Sequence, residues 1–273
     1  GDVYKRQIIN FMFSTNPFFI LSETVPLIGI QFFVIIMVSL VIFGTALDMM
    51  HKKNVKYFFN NAKKAKKNAK RELGGGERIA VIAKTIVHDI GTTSELGLGK
   101  RRIAHVLGMY GTILFWVGSG AMIFFYTTSD TPVIWPILWH VGAIMTCLGG
   151  YWFWLFLRVD VAAEANSVFR IITADLFVLA LLASSTFGLI WSYLQFNNIS
   201  GWDNLFLVLF AVSNIVLFGG VYWSKFAHMF YKPGAAIQKN LAEADGSRDN
   251  LPPPADAPEQ FGLGIKREEP KHY

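Results

Sequence analysis

Five apolar stretches, at about residues 26–47, 103–126, 133–157, 171–195 and 205–223, leave this chain little choice of fold. Each is close to 20 residues or longer, and a helix of that length rises roughly 30 Å, the thickness of a bilayer's hydrocarbon core. In lipid every backbone N–H and C=O must be paired within the spanning structure, so blocks of this kind form helices. The sequence therefore predicts an all-α, polytopic membrane protein with five transmembrane helices in a bundle. Composition agrees: 53% of residues are hydrophobic and 16% are charged. The net charge of +6 does not point to nucleic acid, because the cations lie beside the apolar blocks, where membrane topology accounts for them.

The connections alternate in charge. Residues 127–132 and 196–204 carry no Lys or Arg, whereas the segment 48–102 carries 14 Lys and Arg against 5 Asp and Glu. Arg158 and Arg170 bracket another connection, and the tail 224–273 holds seven basic residues. The positive-inside rule then places 48–102, 158–170 and the tail in the cytoplasm and the N-terminus outside, in a multi-pass protein of the cell (inner) membrane. Trp135, Trp139, Trp202, Tyr222 and Trp223 fall near span ends, as an interfacial aromatic belt requires. Within 48–102, the run from Lys63 to Arg71 reads as a basic helix lying near anionic headgroups, or as a docking surface for a soluble subunit. Residues 8–25, broken by Pro17 and Pro26, are too interrupted to span. The tail, with Pro252-Pro253-Pro254, reads as extended or disordered, or as a segment ordered on a partner. Residues 1–7, GDVYKRQ, resemble a translated transposase adapter, so they are set aside as non-native and the native start is expected to be missing.

Few polar residues fall within the spans, and each is a candidate for function. The one cysteine, Cys147, rules out a four-cysteine iron–sulfur site in this chain, and the absence of CxxCH rules out covalent haem. His105 lies at the start of the second span, in Lys100-Arg101-Arg102-Ile103-Ala104-His105. His228 lies just past the fifth, in Lys225-Phe226-Ala227-His228-Met229. Antiparallel spans put both histidines at one membrane surface. Two imidazoles from two segments can clamp a haem iron in a six-coordinate, electron-transferring state. The alternative is a pair of interfacial histidines with no metal. Gly108, Gly111, Gly219 and Gly220 would let helices approach or leave room for a flat macrocycle. Arg101, Arg102 and Lys225 are candidates to pair with haem propionates.

These two histidine motifs, with five spans in all, resemble the gamma subunit of respiratory nitrate reductase. Related membrane subunits occur in heterodisulfide reductase and in quinone-interacting oxidoreductase complexes. The resemblance covers about residues 26–235. It implies a b-type cytochrome with haem ligands on the second and fifth spans, at His105 and His228, passing electrons between quinones and a cytoplasmic iron–sulfur flavoprotein. Such a subunit is not catalytic toward the soluble substrate by itself. Two-haem relatives carry a further histidine deeper in each of these spans. Here Phe115 stands in that region of the second span, and Phe210 and Asn214 lie on the fifth, so one haem b is expected. A short single-haem form with this proline-containing tail is most similar to the membrane anchor of dissimilatory adenylylsulfate reductase.

The remaining polar residues divide by position. His140, beside Trp139 at the far end of the third span, is a candidate to hydrogen-bond a quinone, or it faces the interface. Asp175 is expected to pair with Arg170, with a proton relay as the alternative. Asn214 and Ser184-Ser185-Thr186 are expected to hydrogen-bond between helices. His51 and His88 read as surface residues. A haem-free anchor that only recruits a soluble enzyme competes with the cytochrome. A transporter would show inverted repeats and broken helices, which are not evident here.

Overall fold

The computed structural model describes residues 12–51, 54–96, 99–158, 167, 169–247, 260–261 and 265–266. The segment 1–7, most of the Arg158–Arg170 connection and the proline run of the tail lie outside them. Two compact units divide the chain. One comprises residues 1–51 and 96–229, the other 52–95 and 230–273.

The first unit holds the membrane helices. After a short helix α1 (Pro17–Ser22) come α2 (Leu27–His51), α5 (Lys100–Gly120), α6 (Ile134–Trp152), α7 (Leu176–Phe196) and α8 (Trp202–Gly219). With their flanking turns these are five helices long and apolar enough to cross a membrane. The chain is a polytopic all-α membrane protein. In sequence order α5 packs on α6, α6 on α7, and α7 on α8; α8 then returns to α2.

Small residues set the closest of these contacts. A Cβ on Gly111 would lie 2.6 Å from the Thr146 backbone nitrogen and 2.8 Å from the Gly142 carbonyl. One on Gly149 would lie 2.5 Å from the Ala104 carbonyl. Gly111, Gly142 and Gly149 thus let two backbones touch, which is how helices associate where lipid removes the hydrophobic drive between them. Gly111 is therefore committed to α6 and leaves no room there for a macrocycle.

Both of these helices end in a π-turn, Ala121–Phe125 and Phe153–Leu157. Such a turn displaces carbonyls from the helical ladder. Two at the end of α5 find side-chain donors: Gln31 donates to the Ile123 carbonyl at 3.0 Å, and Asn16 to the Tyr126 carbonyl at 2.9 Å. Asn16 also donates to Thr131 and accepts from the Phe18 and Phe19 amides, capping α1. Residues 16–22 therefore form a cap over one end of the bundle, with Phe18 and Leu21 buried in the core. Beneath them Phe115, Trp139, Trp191 and Phe210 fill the centre, with Trp191 and Phe210 stacked at 5.7 Å.

Of the five apolar helices the last is the shortest. α8 stops at Gly219, and residues 220–227 form turns.

The second unit contains α3 (Asn54–Lys67), α4 (Gly75–Lys84) with a π-turn Thr85–Gly91, and the greater part of α9 (His228–Ala244). While the proline run lies outside the described residues, this part of the tail is helical up to Ala244. Polar ties connect it to the loop: Asn240 donates to Thr85 and Asp89, Arg71 Nε to the Ala244 carbonyl at 2.9 Å, and the Lys70 amide to the Asp245 carbonyl at 2.9 Å. Farther along, residues 260–261 and 265–266 pair as a two-stranded antiparallel ladder.

Candidate functional site

The candidate residues come from α5 and from the turn that follows α8. Gly99, in an extended conformation, starts α5, and Lys100, Arg101 and Arg102 form its first turn. His105 follows in the second turn and is exposed. At 3.6 residues per turn, positions 105, 109, 112 and 116 share one face. Met109 and Trp116 on that face are half-buried, and Thr112 is buried against Thr146 of α6 at 3.4 Å.

Trp116 marks where the other half arrives. Phe218, near the end of α8, packs on it at 5.4 Å between ring centroids, so α8 ends level with the Trp116 ring and not with His105. Val221, Ser224, Phe226 and Ala227 are buried and Lys225 is exposed. Gly44 of α2 makes way for Val221, since a Cβ there would lie 2.9 Å from the Val221 Cβ. Phe226, 2% exposed, stacks on Trp116 at 6.1 Å and 14° and also meets Phe177 at 5.4 Å and Phe218 at 6.0 Å. Ser224 Oγ accepts from the Phe226 amide at 3.2 Å. The chain that leaves this plug opens α9 at His228, which is exposed.

His228 is thus delivered by an anchored turn and the first residue of a new helix, not by the fifth span itself. The signal in the sequence was Gly219-Gly220, read as spacing for a macrocycle. The residue that sequence reasoning missed is Trp116, which ties the two halves together. Its indole N–H is buried with no acceptor among the described residues. Two exposed imidazoles come from separate segments: His105 stands eleven residues before Trp116, and His228 two residues after Phe226. Arg101, Arg102 and Lys225 stand within the same two stretches, with Arg101 and Lys225 exposed and Arg102 half-buried.

The quinone candidates lie elsewhere and are closed in. His140 is fully buried. Its Nδ1 is 2.8 Å from the Pro136 carbonyl, which can only accept, so Nδ1 carries the proton. Nε2 therefore accepts from Ser192 Oγ at 2.9 Å. With both nitrogens engaged, the ring ties α6 to α7 and does not face the interface. Trp139 is also fully buried, and its indole donates to Ser119 at 2.9 Å. Trp202 and Trp223 are exposed, as belt residues should be.

Asp175 pairs with Arg158, not Arg170. Arg158 Nη1 donates to Asp175 Oδ2 at 2.8 Å, its Nη2 donates to the Arg170 carbonyl at 2.7 Å, and the guanidinium lies 3.9 Å over Trp154. Ser184 donates to Asn214 at 3.1 Å, and Thr186 bonds Tyr151 at 2.8 Å, so these groups do join helices. His51 meets Tyr222 edge-on at 5.8 Å. His88 bonds Asp89 at 2.9 Å. Among the described residues no group of three or more His, Cys, Asp or Glu gathers as a metal site; a bis-imidazole haem needs only two such ligands.

No family model matches the chain, and no curated protein or solved structure is significantly similar to it.

Proposed function

We propose that this chain is the membrane subunit of an electron-transferring complex, with one b-type haem held between His105 and His228. In this reading it exchanges electrons between the quinone pool and a cytoplasmic iron–sulfur flavoprotein of the adenylylsulfate reductase type. The observation that carries the reading is the Phe226–Trp116 stack. It ties the segment that leads to His228 to α5, the helix that also bears His105, and that tie is what supports the reading.

The haem would supply reversible one-electron chemistry at iron. The chain's own residues do the rest. His105 and His228 would each offer a neutral imidazole nitrogen. Arg101, Arg102 and Lys225 would neutralise the propionates, and Trp116, Phe218 and Phe226 would exclude water from one edge. His140 and Trp139 are occupied in the core, so quinone exchange is assigned to no residue.

The test is a pyridine haemochrome assay and absorption spectrum on purified protein expressed with ample haem. One haem per chain is expected in the wild type. His105→Ala and His228→Ala should each lose the low-spin spectrum while staying in the membrane, because neither touches the apolar spans that drive insertion. A haem-free wild type, or a wild-type spectrum in either variant, refutes the cytochrome. A haem-free wild type leaves the recruiting anchor as the account.

A further inference from the structure

α3 follows directly on a membrane span. α2 ends at His51 and α3 begins at Asn54. Three residues of extended chain reach at most about 10 Å, so the start of α3 cannot lie far from the bilayer surface. Residues 54–71 contain six lysines and Arg71, with no Asp or Glu. Helical spacing puts Lys56, Phe59, Asn60, Lys63 and Lys67 on one face, and each of them is exposed. Phe59 is 57% exposed among these lysines. A shallow depression on the same helix is lined by Asn60, Asn61, Lys63, Lys64 and Lys67. Its side chains offer a cluster of hydrogen-bond donors and three positive charges, and no carboxylate. A surface helix bathed in water gains nothing from a phenyl ring in the middle of its cationic face. A helix lying in the headgroup layer does, because the ring reaches the acyl boundary while the lysines stay with phosphates.

We propose that this face of α3 is a binding site for anionic phospholipid headgroups, with Lys63 and Lys67 on the phosphates and Phe59 seated at the acyl boundary. The site fixes the loop unit to the membrane surface and makes its docking sensitive to lipid charge. It does not depend on whether iron is bound at His105 and His228.

The experiment uses the full chain in nanodiscs, with Cys147→Ser removing the one native thiol and Phe59→Cys carrying an environment-sensitive fluorophore. Discs of brominated phosphatidylcholine are compared with discs in which phosphatidylglycerol replaces a third of that lipid. Quenching by brominated chains is expected in the anionic discs and is expected to fall with added salt. Each lysine near an anionic surface is worth roughly a factor of five in docking, so Lys63→Gln with Lys67→Gln should lower the docked-to-undocked ratio roughly 25-fold. Lys63→Arg with Lys67→Arg should retain it. Equal quenching in the two kinds of disc overturns the proposal. So does a label that stays water-exposed in both and becomes protected only when a soluble protein is added, which would make α3 a protein-docking face.

Discussion

Asn16 carries more of the first unit's order than its place before Pro17 suggests. Its amide donates to Tyr126 and Thr131, and its carbonyl oxygen accepts from two amides of α1. Asn16→Ala removes the cap and leaves the Tyr126 carbonyl one donor short, a loss of roughly 2 kcal/mol. A thermal melt of the purified protein in detergent should show a midpoint several degrees lower, with insertion unchanged. His140→Ala should behave in the same way, destabilising through Ser192 and Pro136 while leaving any haem spectrum intact. A lost spectrum in that variant would mean that His140 is a ligand. These residues show where sequence reading stops. A histidine near a span end is visible in the sequence. Its partner Ser192, on another helix, is not, because helical periodicity names a face and not the residue that meets it. Asp175 is the same case: the nearest arginine in sequence was Arg170, but the structure brings in Arg158 from the end of the preceding span.

The membrane helices were legible as elements because their apolar blocks are long and uniform. α9 was not. Pro233 and Gly234 sit inside it and read as breakers, and what holds it is contact with the distant loop. Asp89 is central to that contact. Hydrogen bonds from His88, then Asn240 and Ser94, lower its pKa from the usual 3.8 to about 2. A depressed carboxylate pKa stabilises the folded unit above the unfolded value. That contribution fades as pH falls from about 4 through about 2. Amide exchange of α9 should therefore rise across that window in the wild type, and Asp89→Asn should flatten the dependence. The α5–α6 contact gives a second expectation at this scale. Gly142→Val puts a side chain where even a Cβ lies 2.5 Å from the Phe115 nitrogen. The backbones must separate, at a cost of about 1–3 kcal/mol or more, read as a lower melting midpoint. Val at Gly29, where a Cβ meets nothing within 4 Å, is the neutral control.

At the scale of the whole molecule, the charge pattern of the connections predicts that the basic segments share one side of the membrane. A reporter fused after Asp130 should behave as periplasmic, and a cytoplasmic signal would invert the arrangement. The grouping of loop and tail into one unit was beyond sequence reading, since neither half has an apolar face long enough to declare a partner. The unequal helices have a further consequence. α2 has 25 residues, a rise of roughly 37 Å, whereas α8 has 18, about 27 Å. No single hydrocarbon thickness matches both. A thick bilayer strands the end of α8 and draws the turns of residues 220–227 toward lipid. A thin one is met by tilting α2. The protein should therefore melt at a higher temperature in short-chain than in long-chain phosphatidylcholine. The first loss in thick membranes should be the packing of Phe226 on Trp116, so that the lipid around the protein sets the geometry of the segment that carries His228.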